Sequence, residues 1–237
     1  MVNKYYQPGG QRGAKVADLF AAIAPRYDLI NDLQSFGMHR RWKRKLVRLA
    51  DARPGARALD LCCGTGDIAF ALAARGADVT ALDFSAAMLE VAHKRAVSLA
   101  RPPTFLQGDA QRLPFPDNSF DIVSVGYGLR NLTEWDRGVE EMWRVAKPGA
   151  RLLVLDFGKP DFAPWRGLYF AYLRWFVPVF GKLFCGDSAT HAYILESLKA
   201  YPAQRGVESK MKALNCGDVR VYNLLGGAMS VNYGVKA

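Results

Sequence analysis

Cysteine and histidine are scarce: the 237 residues hold four of the first (Cys62, Cys63, Cys185 and Cys216) and three of the second. Four thiols in a chain this long, behind an opening MVNKYYQPGGQRGAK with no apolar leader, exclude a disulfide framework and point to the cytoplasm. Cys62-Cys63 has no C-x-x-C and no second Cys/His pair at zinc spacing, so no metal site is expected. A long uncharged apolar run is missing too. The richest candidate, PWRGLYFAYLRWFVPVFGKLF (164–184), contains Arg166, Arg174 and Lys182 and is broken by Pro178. A bilayer-spanning helix needs about 20 predominantly apolar residues without such charges. Repeats and low-complexity segments are also absent, which leaves one domain over 16–237 behind a flexible arm at 1–15.

Acid is in shorter supply than base, 22 residues against 32, for a net charge of +10. The excess suggests an anionic partner, and the absence of an RNP pattern or helix-turn-helix argues against nucleic acid. The run HRRWKRKLVRLA carries Arg40, Arg41, Lys43, Arg44, Lys45 and Arg48 with no acid among them. Near an anionic leaflet each cation contributes about 1 kcal/mol, so a peripheral membrane contact is expected.

What is present is a regular alternation. VADLFAAIAPRYDLIND has apolar residues at helical spacing interrupted at Pro25, and N-terminal helices are expected over 16–50. From residue 57 the pattern is strand then helix: RALDL, a helix from about Asp67 to Arg75, DVTALD, SAAMLEVAHKRAVSLA, PTFLQGD, FDIVSVG, TEWDRGVEEMWRVA and ARLLVLDF. This predicts an α/β fold, a mostly parallel Rossmann-like sheet with helices on both faces. Thr133 three residues before Asp136 reads as a capping-box variant, with Lys147-Pro148-Gly149 ending that helix. Two strand-like runs around Gly226-Gly227 predict a C-terminal antiparallel hairpin. The aromatic segment, within an insertion at about 160–200, predicts a helical lid.

LDLCCGTGDIAFALA (59–73) places a glycine turn between the first strand and a helix, which aims backbone N–H groups at a ligand beyond the carboxyl edge of the sheet. Gly64-x-Gly66-x-x-Ala69, with Asp83 further on, satisfies the relaxed dinucleotide pattern, so an NAD-dependent dehydrogenase is a rival reading. Asp60, four residues before Gly64, would repel a pyrophosphate but suit an ammonium and a sulfonium, which favours S-adenosylmethionine. The expected cofactor site comprises Asp60, Gly64, Thr65, Gly66, Asp83 toward the ribose, Asp109 toward the adenine amine, Ala110 and Gly126.

With these residues in place, the chain resembles the class I methyltransferases and, more narrowly, the ubiquinone/menaquinone biosynthesis C-methyltransferase family. The similarity rests on YDLINDLQSFGMHRRW, RVAKPGARLLVLDFGKP, GLRNLTEWD and FGKLFCGDSATHAYILESLKAYP. Ile30, Ala150, Asp156, Gly158 and Gly126 depart from the family pattern, the last where relatives often have Ser. The resemblance implies C-methylation of a lipophilic prenylated quinol, demethylmenaquinol to menaquinol, at the cytoplasmic face of the inner membrane. An O- or N-methyltransferase acting on another small aromatic is the alternative, and a homodimer is left open.

For that reaction Arg130 is expected to hold a phenolate and Asn131 to orient a ring oxygen. His39, with Asp28 and Tyr27 nearby, has the intrinsic pKa best matched to accepting a proton. Arg166, Arg174 and Lys182 are expected at headgroup level, with the aromatic helices lining a prenyl tunnel.

Overall fold

The strand and helix alternation forms as the sequence predicts in the computed structural model, which describes residues 12–179 and 189–237. Strands β1 (Arg57–Leu61), β2 (Asp78–Asp83), β3 (Thr104–Gln107), β4 (Phe120–Gly126) and β5 (Ala146–Phe157) are parallel, and β6 (Cys216–Leu224) and β7 (Met229–Lys236) form the antiparallel hairpin. β7 inserts antiparallel beside β5, giving the order β3-β2-β1-β4-β5-β7-β6. The central strands are largely apolar because both faces are covered, with Asp60 and Ser124 as buried polar exceptions. Period-two alternation divides them. Leu59, Leu61, Leu152 and Val154 join one core cluster with helices α6 (Trp135–Val145), α7 (Ala163–Trp175), α8 (Ala189–Ala200) and α9 (Ala203–Ala213). Ala58, Leu153 and Leu155 join a second with α3 (Met38–Ala50) and α4 (Asp67–Ala73).

Several element ends differ from the expectation, each for a local reason. Helix α1 (Arg12–Ile23) begins inside the stretch expected to be an arm, so residues 12–15 are helical. Pro25 does interrupt it, as a short 3-10 turn at Ala24–Arg26 ahead of α2 (Tyr27–Ser35). Helix α5 (Ala86–Ala96) starts one residue late because the Ser85 side chain caps it, accepting from the Met88 N–H at 3.4 Å. The capping box at Thr133 does not form: Glu134 is the N-cap of α6 with no side-chain cap, and Asp136 instead meets the helix dipole from the first turn. That helix ends at Val145, and Lys147-Pro148-Gly149 lies in the first residues of β5.

The basic run on α3 is not one solvated face. Lys43 pairs with Asp67 at 2.7 Å, Arg40 with Asp32, and Lys45 sits 4.6 Å over the Tyr222 ring, while Arg41, Arg44 and Arg48 stay exposed. In the lid Arg174 is exposed beside Trp175, whereas Arg166 donates to the Pro160 carbonyl at 3.0 Å. Lys182 and Cys185 lie outside the described residues. No described helix is long and apolar enough to cross a membrane.

Candidate active site

The sheet order reverses between β1 and β4, and a doubly wound sheet opens its ligand crevice where that happens. Two turns meet there. After β1, Cys62, Gly64 and Gly66 take φ values of +51°, +56° and +91°, and the turn is held from within: the Cys63 N–H donates to the Leu82 carbonyl and the Gly66 N–H to the Cys63 carbonyl. A Cβ on Gly66 would lie 2.8 Å from the Phe70 ring, and one on Gly64 3.1 Å from Met88 Cε. The Asp83 carboxylate at the end of β2 accepts from the Gly64 N–H at 2.7 Å and the Ser85 N–H at 2.8 Å. It thereby ties two adjacent strand ends, and burial raises its pKa against those bonds.

Beside this turn is a cavity of about 350 Å³ lined by Gly64, Asp83, Asp109, Ala110, Gly126 and Asn131, among others. Leu82 and Met88 give it flat apolar walls, and Asp109 accepts from the Gln111 N–H at 2.9 Å. Carboxylates, a bare glycine turn and apolar walls fit the adenosyl donor expected from the sequence. Residues not anticipated also line it: Gly13, Val16 and Phe20, all on α1.

Asp60 departs from its expected place. It is buried on the α3 and α4 side of β1 and is not among the lining residues. One oxygen accepts from Ser124 Oγ at 2.8 Å, and Oδ2 is buried without a hydrogen-bond partner among the described residues. Burial lifts its pKa to about 7, opposed by Ser124 and Lys43. Thr65 also faces away, donating to Asp28 at 2.9 Å, and Gly66 serves as the N-cap of α4.

A larger cavity, about 570 Å³, lies on the other side of a shared wall made by Phe20, Tyr27 and Tyr127. Its lining is mostly aromatic and aliphatic, with Trp42, Phe157, Tyr172 and Ile194 inside. Phe36, Leu168, Trp175 and Phe176 line it too, yet each is more than 60 % exposed, so the mouth opens through an apolar rim. Exposed aromatics concentrated at one opening mark an interaction surface rather than scattered surface residues.

Where the two cavities meet, the chain builds a buried polar cluster. Tyr127, just past β4, has φ +61°, which costs a residue with a Cβ about 1–2 kcal/mol. Its carbonyl accepts from Arg130 at 2.6 Å and from the Asn131 amide at 3.0 Å, which fixes the turn. Arg130 Nη1 also reaches Asp156 at 2.9 Å, and Asp156 accepts from the Arg130 and Phe157 backbone N–H groups. Burial raises the Asp156 pKa, against the pull of Arg130; for Arg130 burial acts downward and Asp156 turns the net direction upward. Three charge-assisted donors keep this pair ionic. Asn131 Oδ1 accepts from the Tyr193 hydroxyl on α8 at 3.0 Å. Arg130 therefore faces the larger cavity with its charge balanced, and Asn131 faces the smaller one with its amide already engaged.

His39 is buried in the wall of the larger cavity, with Nδ1 2.8 Å from Ser35 Oγ. Burial, then Lys43, lowers its pKa, so it is held neutral. Tyr27 lines both cavities, and burial raises its pKa. Asp28 lines neither: it binds Thr65 and Arg95, and Arg95 in turn bridges to Asp67 at 2.7 Å. Lys43 and Arg95, overcoming the effect of burial, hold Asp67 at about 2. This lattice pins the N-terminal helices to the glycine turn. Sequence reasoning did not find Asp67, Arg95, Tyr127 or Tyr193 as site residues, and it treated Asp156 only as a departure from a pattern.

A model of the ubiE/COQ5 methyltransferase family matches residues 9–236. The chain is 39% identical over 234 residues to a ubiquinone/menaquinone biosynthesis C-methyltransferase UbiE of Stutzerimonas stutzeri, covering 97% of this chain and 91% of that protein. Among solved structures, the [4+2]-cyclase SpnF superposes with a TM-score of 0.65 at 17% identity, covering 97% of this chain and 96% of that one. A Thermotoga maritima protein described as a SAM-dependent methyltransferase gives 0.62 at 18% identity, covering 93% and 99%. These two likenesses show the class I methyltransferase fold and no more.

Proposed function

The chain belongs to the ubiE/COQ5 methyltransferase family, and from that premise we propose that it transfers the methyl group of S-adenosylmethionine to a ring carbon of a prenylated quinol. Demethylmenaquinol is the acceptor we favour. One observation carries this reading: a cavity with carboxylates in its wall and a larger apolar cavity share Phe20, Tyr27 and Tyr127. A cationic methyl donor suits the first and an isoprenoid-bearing ring the second.

Gly64, Asp83, Asp109 and Ala110 would hold the donor, which supplies an electrophilic methyl on a sulfonium. The work of the chain is to bring a ring carbon in line with it, at about 3–3.5 Å, in a dry site; such pre-ordering supplies up to roughly 7–11 kcal/mol. The apolar lining excludes water, which strengthens attraction between a phenolate and a cation. Arg130, balanced by Asp156, contributes oriented donors rather than a bare charge. His39, in the wall of the larger cavity, is the candidate proton acceptor for the quinol, although burial and Lys43 lower its pKa and so work against the imidazolium that would form. The exposed rim of Phe36, Leu168, Trp175 and Phe176 offers a way for the substrate to enter directly from a bilayer, with Arg41, Arg44 and Arg174 available to anionic headgroups.

The test has two parts. S-adenosylhomocysteine should raise the melting temperature and NADH should not; the reverse would restore the dehydrogenase reading. Removing the protein from its host should cause a demethylated quinone to accumulate, and an unchanged quinone pool would refute the proposed acceptor.

A further inference from the structure

Among the described residues the Tyr127 hydroxyl has no work in the fold. It is buried and has no hydrogen-bond partner among the described residues, although its ring is well packed, edge-on to Phe157 with centroids 6.0 Å apart. Lys43 Nζ stands over the ring, 5.9 Å from its centroid, and is not bonded to the hydroxyl. Buried phenols nearly always find a partner, because an unmet O–H loses its hydration for nothing. A phenylalanine would satisfy every contact that Tyr127 makes with the protein. The oxygen belongs to a residue in the wall common to both cavities, on a backbone held in the left-handed region by Leu155, Arg130 and Asn131. A second buried donor without a partner among the described residues, Gln34 Nε2, belongs to a residue lining the larger cavity alone.

We propose that the Tyr127 hydroxyl donates a hydrogen bond to an oxygen carried on the aromatic ring of the acceptor, and so selects oxygenated rings and sets their orientation toward the methyl donor. This rests on the reading of the two cavities given above. Burial, more than the nearby Tyr27 and Asp156, raises the phenol pKa well above its ordinary value, so the group remains a donor across the working range. A donor suits a quinol oxygen, and suits it better as that oxygen gains negative charge. Tyr127 thereby does for the ring what Arg130 and Asn131, already engaged with Asp156, Tyr127 and Tyr193, do for the turn.

The experiment compares wild type and Tyr127→Phe, each saturated with S-adenosylhomocysteine, in anaerobic titrations with 1,4-dihydroxynaphthalene and with naphthalene. Wild type should prefer the diol by about tenfold, the worth of one neutral hydrogen bond. The variant should lose most of that preference while keeping its affinity for naphthalene and S-adenosylhomocysteine, and should melt at the same or a higher temperature. A preference that survives in the variant, or is absent from wild type, would overturn the proposal. So would a fall in melting temperature, which would show that the hydroxyl serves the fold. Methyl transfer is not needed for these readings, so wild type failing to methylate a quinol would count against the proposed function while the titrations still decide the role of Tyr127.

Discussion

The smaller cavity is framed mainly by strand ends and the turns that follow them, with residues of α1, α2 and α5 added, and the larger one mainly by helices α1, α2, α3, α7 and α8 brought together from opposite ends of the chain. The first presents Asp83 and Asp109 and is shaped by backbone conformation; the second presents rings and aliphatic side chains and is shaped by packing. Local geometry thus makes a site for a small charged molecule, whereas a site for a long apolar one needs surfaces that no single segment has. The polar cluster at their boundary depends on both, since Arg130 and Asn131 come from a strand end and Tyr193 from the lid.

Breaking the boundary should have the largest effect. Asp156→Ala removes the buried carboxylate that pairs with Arg130, a change that typically costs about 3–5 kcal/mol, so the variant should show a large fall in denaturation midpoint and no turnover. Gly66→Ala strikes the turn that carries Gly64 into the wall of the smaller cavity. At φ +91° and with Phe70 2.8 Å from the new Cβ, it should cost about 2 kcal/mol or more and weaken S-adenosylhomocysteine binding, with ligand entry to the larger cavity intact.

Asp60→Asn tests whether the acid behind the turn matters to stability. A folded pKa of about 7 against an ordinary 3.8 means the folded state binds the extra proton between those values. The contribution of Asp60 to stability is present below about pH 4 and is lost as pH rises through about 7. The melting temperature of Asp60→Asn relative to wild type should therefore climb by several degrees from pH 4 to pH 8. A flat difference would mean the carboxylate is solvated or paired. The smallest effect on stability belongs to the rim: Trp175→Ser with Phe176→Ser, both more than 60 % exposed, should change it by less than about 0.5 kcal/mol. Flotation with anionic vesicles should nevertheless fall sharply, and unchanged flotation would remove the rim from the account.

The same contrast explains what could be read from the sequence. β4 at FDIVSVG, β2 at DVTALD and the glycine turn were legible because strand periodicity and positive-φ glycines are local properties. The left-handed conformation of Cys62 and Tyr127 was not, since nothing in either side chain announces it. Asp156 meets Arg130 only because β4 and β5 are neighbours, and Asp67 meets Lys43 only because α3 packs on α4. Asp60 sits at the predicted strand end, but its pleat position turns it toward α4 and away from the cavity. Thr133 carries a capping signature that tertiary packing overrides by starting α6 at Trp135.

The most direct measurement incubates the protein with S-adenosylmethionine carrying a ¹³C methyl group and a reduced, short-tailed demethylmenaquinone, and reads the product by carbon NMR. An aryl-carbon methyl signal is the predicted result. A methoxy signal, or an unlabelled quinol beside protein that still binds S-adenosylhomocysteine, would contradict carbon methylation as the function of this site.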